Sequence, residues 1–194
     1  MQISIGLAAT ALCLSLNVTS LMAKTFDWKA VNEIRQDLSA NPKGLDVHPD
    51  FKEYLEHYKM DPAYFSEIRM IKAGSYQIAT YHFKVPDAKG TFVLGHGFYD
   101  QTGYMYMLMD ELKRNNFNVI SFDLPGHGLS NGMRSKVDSF DSYAVALKEV
   151  VSQTKDLQTD KTYYMGFSTG AVGIITHLLQ NDDLGFEKIF FLQL

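Results

Sequence analysis

A serine stands between two glycines at Gly166-Phe167-Ser168-Thr169-Gly170, straight after the apolar run Thr162 to Met165 and before Ala171-Val172-Gly173-Ile174. A serine forced into a sharp strand-to-helix turn projects its hydroxyl clear of a sheet, where it can act as a nucleophile. Gly166 and Gly170 flank it because a Cβ at either place would collide with the neighbouring strand or helix. The start of the following helix favours negative charge developing at that spot. A tight turn with a serine helix cap is the bland alternative, and the strand–turn–helix setting is what argues against it. A second loop, Gly95-His96-Gly97-Phe98, follows the run Thr91 to Leu94. Its glycines let the backbone swing amides toward the sheet's end, so the N–H of Phe98, paired with that of Thr169, would form an oxyanion hole. His96 is assigned to loop shape through hydrogen bonding rather than to general-base work. A third loop, Asp123-Leu124-Pro125-Gly126-His127-Gly128-Leu129-Ser130, follows Asn118 to Phe122. Pro125, Gly126 and Gly128 make a rigid turn. Asp123 and His127 could be catalytic, but the preferred reading has them bracing the loop through side-chain-to-backbone hydrogen bonds.

Such loops need strands to carry them. After Pro86, short apolar runs (Thr91 to Leu94, Phe117 to Phe122, Thr162 to Met165, Lys188 to Leu192) alternate with helix-length segments (Gln101 to Asn115, Phe140 to Lys155, Thr169 to Asn181). Strands without polar alternation are buried on both faces, and helices between them imply parallel crossovers. In such a sheet, chemistry gathers beyond the carboxyl ends of the strands, where all three loops fall. Earlier in the chain, Glu67 to Ile71 and Tyr76 to Phe83 flank Ala73-Gly74-Ser75 and read as a hairpin at a sheet edge. From Lys24 to about Ala63 the spacing of Trp28, Val31, Ile34 and Leu38 is helical, with a stop at Asn41-Pro42-Lys43-Gly44. The expected fold is α/β: a mostly parallel, doubly wound sheet with an antiparallel N-terminal hairpin. The expected organisation is a leader over 1–23, a helical arm over 24–63 and a main domain over 64–194.

The 194 residues carry 18 Lys and Arg against 22 Asp and Glu, with 46% hydrophobic residues. That is enough for one sizeable core, and the mildly acidic balance provides no basic stripe for a nucleic acid. The one cysteine, Cys13, excludes an internal disulfide framework and a CxxC metal or redox site. The histidines show no ligand spacing on a shared face, so neither a metal nor an organic cofactor is expected. No charged side chain occurs from Met1 to Ala23. Leu- and Ala-rich Ile5 to Leu16 is followed by small residues at Val18-Thr19-Ser20 and Leu21-Met22-Ala23, as in a secretory leader. Export to the periplasm or medium is the expectation, with an uncleaved N-terminal membrane anchor as the alternative.

The three loops, in that order, resemble the α/β-hydrolase superfamily, and within it the monoacylglycerol lipase, lysophospholipase and serine aminopeptidase branch. The matching residues are Gly95-His96-Gly97 with Tyr104 downstream, Phe122 to Ser130 with Gly132, and Gly166 to Gly170, within a match covering about Phe92 to Leu194. Two departures stand out. Tyr99-Asp100 occupies, with altered spacing, the region where the branch often has an acidic residue, and Phe167 and Thr169 replace the usual His and Met. The resemblance implies a secreted serine hydrolase of lipid carboxylic esters, with Ser168 as nucleophile. Peripheral membrane contact through the arm would rest on Trp28 and its neighbours.

In the superfamily the triad runs Ser, then Asp or Glu, then His along the chain. After Ser168 the candidates are His177, Asp182 and Asp183. His177 lies about 13 Å along the helix that starts at Ser168, and the two aspartates fall at its far end, so none is placed to serve. The expected Asp and His are absent from this sequence, and the chain reads as truncated after the strand that follows the nucleophile's helix. The alternatives are a catalytically incompetent fragment or binding module, and a serine aminopeptidase.

Overall fold

The computed structural model describes residues 29–40, 49–61, 63, 65–180 and 183–192. The expected leader over 1–23, Trp28, the stop at Asn41-Pro42-Lys43-Gly44 and Asp182 lie outside the described residues. Among the described residues no helix is long and apolar enough to cross a membrane.

Six strands form one sheet: β1 (Glu67–Ala73), β2 (Tyr76–Phe83), β3 (Thr91–Gly95), β4 (Asn118–Phe122), β5 (Thr162–Phe167) and β6 (Lys188–Leu192). Their order is β1-β2-β4-β3-β5-β6. β1 and β2 pair antiparallel, with Ala73 opposite Tyr76 across Gly74-Ser75. Gly74 takes φ +59°, the conformation a two-residue hairpin loop asks of its first residue. β2 pairs antiparallel with β4, and β4, β3, β5 and β6 run parallel. From β3 the chain crosses one way to β4 and then back past β3 to β5. The loops after β3 and β5 therefore flank the switch point, with Gly95 in register with Gly166.

Helices cover both faces. On one side α1 (Ala30–Ala40), α2 (Pro49–His57) and α3 (Tyr106–Arg114) pack with Ala79, Tyr81, Phe83, Phe92, Leu94 and Val119. On the other, α4 (Asp141–Gln153) and α5 (Thr169–Leu179) pack with Ile78, Val93, Ile120, Phe122 and Tyr164. Alternation along β3, β4 and β5 sends successive side chains to these two cores.

Three elements carry detail that the sequence pattern does not. In β2, Ile78 to Phe83 are all buried, because the arm helices cover the face that Ala79, Tyr81 and Phe83 share while Ile78 packs into the opposite core. The segment expected as a helix from Gln101 opens as a 3-10 turn over Thr102–Met105 before α3 begins. Gly103 there packs so closely on the Tyr58 ring that a Cβ would not fit. At the far edge β6 is only half covered: Phe191 is 54% exposed, and on α5 Leu179 is 78% exposed.

Candidate active site

Ser168 joins β5 to α5 with φ +44° and ψ −109°. Serine rarely adopts positive φ, so the surrounding packing must hold it there. Gly166 and Gly170 show how. A Cβ on Gly166 would come within 3.0 Å of the Ala171 amide nitrogen, and one on Gly170 would come closer still to the Gly95 carbonyl. The first turn of α5 thus lies against the end of β3. The Tyr164 hydroxyl donates to the Gly170 carbonyl (2.6 Å) and seals the contact from below. A Cβ on Gly95 would strike that same hydroxyl.

The loop after β3 crosses directly in front of the serine. A Cβ on Gly97 would lie 3.7 Å from the Ser168 Cβ, so the absent side chain leaves ground open there. Neither the Phe98 nor the Thr169 N–H donates to a backbone carbonyl among the turn and loop hydrogen bonds of the described residues. The Phe98 ring packs on Tyr99 (4.3 Å between centroids) and His127 (5.6 Å).

His96 ties this loop to the next. Its Nε2 accepts from the Leu124 N–H (2.9 Å), so Nδ1 carries the proton and donates to the Gly97 carbonyl (2.7 Å). Burial pushes the imidazole down to about 4, so it is neutral and committed at both nitrogens.

Asp123 faces into its own loop. Its carboxylate accepts from the Tyr81 hydroxyl (2.8 Å), the Leu129 N–H (2.8 Å) and the Thr102 N–H (2.8 Å). Burial raises its pKa, and the hydrogen bonds from Thr102, Leu129 and Tyr81 oppose that shift. Gly128, at φ +45°, leaves room for the carboxylate where a Cβ would overlap it. Gly126, at φ +76°, turns the loop against Met133. His127 donates from Nδ1 to the Pro125 carbonyl (2.9 Å) and stacks edge-on with His96. Asp123 ties this loop to Tyr81 and Thr102, His127 bonds within the loop, and the two side chains do not hydrogen-bond each other.

Beside these loops lies a cleft of about 440 Å³. Tyr99, Gln101 and Tyr104 line one side and Gly126, His127 and Arg134 another, with Tyr58 contributed from just beyond α2. Sequence reasoning missed Tyr58, Gln101 and Arg134, which carry no motif. It also missed Arg35 on α1, which donates to three carbonyls of the Asp123 loop. His177 is buried on α5 and Asp183 caps a turn at Gly185, so the structure does not bring either into the serine's loop cluster. Among the described residues no group of three or more His, Cys, Asp or Glu could hold a metal ion.

The chain matches the family model described as serine aminopeptidase, S33, over residues 86–191. No curated protein matches it. Solved structures of similar fold include an esterase from Exiguobacterium antarcticum, with TM-score 0.55 and 20% identity over 63% of this chain and 43% of that one. A monoacylglycerol lipase from Paleococcus ferrophilus matches with TM-score 0.50 and 24% identity over 59% of this chain and 42% of that one. An esterase from Pyrococcus furiosus matches with TM-score 0.50 and 24% identity over 57% of this chain and 45% of that one. This chain spans less than half the length of each. With the family model covering more than half of the sequence, including all three loops, the chain belongs to the serine aminopeptidase S33 family of α/β hydrolases.

Proposed function

We propose that Ser168 is the nucleophile of a serine hydrolase acting on carboxylic esters, those of lipids foremost. The observation that carries this reading is the backbone of Ser168, at positive φ between a strand and a helix N-terminus, with Gly97 leaving the space before it open. The hydroxyl oxygen attacks the ester carbonyl and the negative charge moves to the carbonyl oxygen. The N–H groups of Phe98 and Thr169 receive that charge, and the positive end of α5 adds to it.

The base that takes the serine proton is not His96, whose Nε2 lone pair already accepts from Leu124. We assign the base, a histidine, and the carboxylate that orients it to chain beyond these 194 residues. The length of the similar structures, more than twice the share matched here, supports that assignment. The lipid-ester reading draws support from the monoacylglycerol lipase among the similar folds and from exposed Tyr99 and Tyr104 lining the cleft. A second reading, cleavage of peptide amides from an N-terminus, draws on the description of the family itself.

Ser168→Ala in the full-length protein should lower kcat/KM for a p-nitrophenyl ester by at least about a thousandfold. It should also abolish labelling by a fluorophosphonate. Undiminished turnover would sink the mechanism, and absence of labelling in the unsubstituted protein would favour a non-catalytic binding module. Faster release of amino acids from peptides than of fatty acids from monoglycerides would move the substrate to the peptidase reading.

A further inference from the structure

The family match begins at residue 86, so the helical arm that precedes β1 lies outside it. Tyr58 of that arm lines the cleft, and Arg35 holds the Asp123 loop directly. The Arg35 guanidinium donates from Nε to the Leu129 carbonyl (2.7 Å), and from one terminal nitrogen to the carbonyls of Gly128 (3.1 Å) and Ser130 (2.5 Å). Its other terminal nitrogen donates to the Asn32 side chain (3.0 Å), which aims the fork from within α1.

Those carbonyls have a reason to need it. Earlier in the loop the carbonyls of Leu124 and His127 accept from the loop's own N–H groups, those of His127 and Ser130, and the Gly126 carbonyl accepts from the Ser135 N–H just beyond it. Those of Gly128, Leu129 and Ser130 turn toward α1, and a planar, multiply donating cation satisfies all three at once. The same loop carries the Leu124 N–H that holds His96, the Leu129 N–H that holds Asp123, and His127, which packs on Phe98. Asp123 in turn holds the Thr102 N–H, at the other end of the segment that begins with Phe98.

We propose that Arg35 is a positioning residue: through the Gly128–Ser130 carbonyls it fixes the Asp123 loop, and through that loop the Gly95–Phe98 loop facing Ser168. The consequence for catalysis rests on the hydrolase reading above; the mechanical link does not. An oxyanion donor acts on the transition state more than on bound substrate, so loosening it lowers kcat rather than raising KM.

The test compares Arg35→Lys and Arg35→Met with the unsubstituted full-length protein. The first readout is amide hydrogen exchange. In Arg35→Met, exchange at Leu124, Leu129 and Thr102 should speed at least tenfold, while Val93 and Tyr164 inside β3 and β5 stay within twofold. Arg35→Lys, which cannot hold three carbonyls with one ammonium, should fall between and serves alone if the Met variant does not fold. Unchanged exchange in the loop, or equal acceleration of the strand amides, overturns the proposal. The second readout is ester turnover, where kcat should fall about tenfold with KM within twofold. A KM change at constant kcat overturns the catalytic consequence. An unsubstituted protein that turns over no ester refutes the hydrolase reading, and the exchange experiment still decides the link.

Discussion

Ser168 sits in a backbone conformation that costs a non-glycine residue on the order of 1–3 kcal/mol. Glycine takes such conformations without a Cβ penalty. Ser168→Gly should therefore raise the urea midpoint, by about 1 kcal/mol of stability or more, while Ser168→Ala should not. Equal stability of the two variants would mean that the turn is relaxed. The reverse experiment belongs to Gly170, whose Cβ would overlap the Gly95 carbonyl. Gly170→Ala should cost about 1–3 kcal/mol, because backbone on both sides leaves little freedom to move. Gly166, Gly170 and the serine are legible in sequence because a sharp strand-to-helix turn demands those residue types, although the backbone that crowds Gly170 is that of Gly95 and His96. Arg35 is not legible. Its partners lie more than ninety positions away, and nothing in α1 distinguishes it from any half-buried arginine.

Elements α1 and β2 show how far local patterning carries. Val31, Ile34 and Leu38 repeat at helical spacing, which predicts one buried stripe, and α1 buries all three. The pattern does not say how much of the fold leans on that stripe. Ile34 is fully buried in the core shared with Tyr81, Phe83 and Leu94, so Ile34→Ala should cost about 2–5 kcal/mol, as for any core isoleucine. A cost below about 1 kcal/mol, read from the urea midpoint, would make the arm an appendage. β2 shows the converse: alternation sorts its side chains onto two faces, and the arm that buries Ala79, Tyr81 and Phe83 comes from another part of the chain. Periodicity reports which residues share a side but not what lies against it.

At the scale of the whole molecule, His82 and His96 are buried as neutral groups in separate parts of the fold, β2 and the loop after β3. Burial holds His82 down to about 3 and His96 to about 4, against about 6.5 when unfolded. Between those values the unfolded chain binds protons that the native one does not, so stability is complete above about pH 6.5 and falls as pH drops through the native pKa values. Each imidazole held that far below its ordinary value is worth several kcal/mol over that window, His82 more than His96. The urea midpoint should decline markedly from pH 7 to pH 5, and His96→Asn should flatten the decline. The same slope in that variant would mean that His96 titrates freely. Asp123 works against this trend nearer its own range: burial raises its pKa, so the native state keeps a proton that the unfolded chain has already lost, and stability falls as pH rises through that interval.

The sequence by itself determined which segments are strands and helices from β1 onward, where the three loops fall, and which residue types their turns demand. Those properties depend on steric and hydrogen-bonding constraints spanning a few residues. Only the tertiary structure decided that β4 and β5 flank β3, which places Gly97 before Ser168. It also decided that Asp123 is occupied by Tyr81, Leu129 and Thr102, and that the arm grips the loop through Arg35. Each of these is a meeting of residues far apart in the chain, chosen by which apolar faces bury one another, and no local pattern encodes the partner.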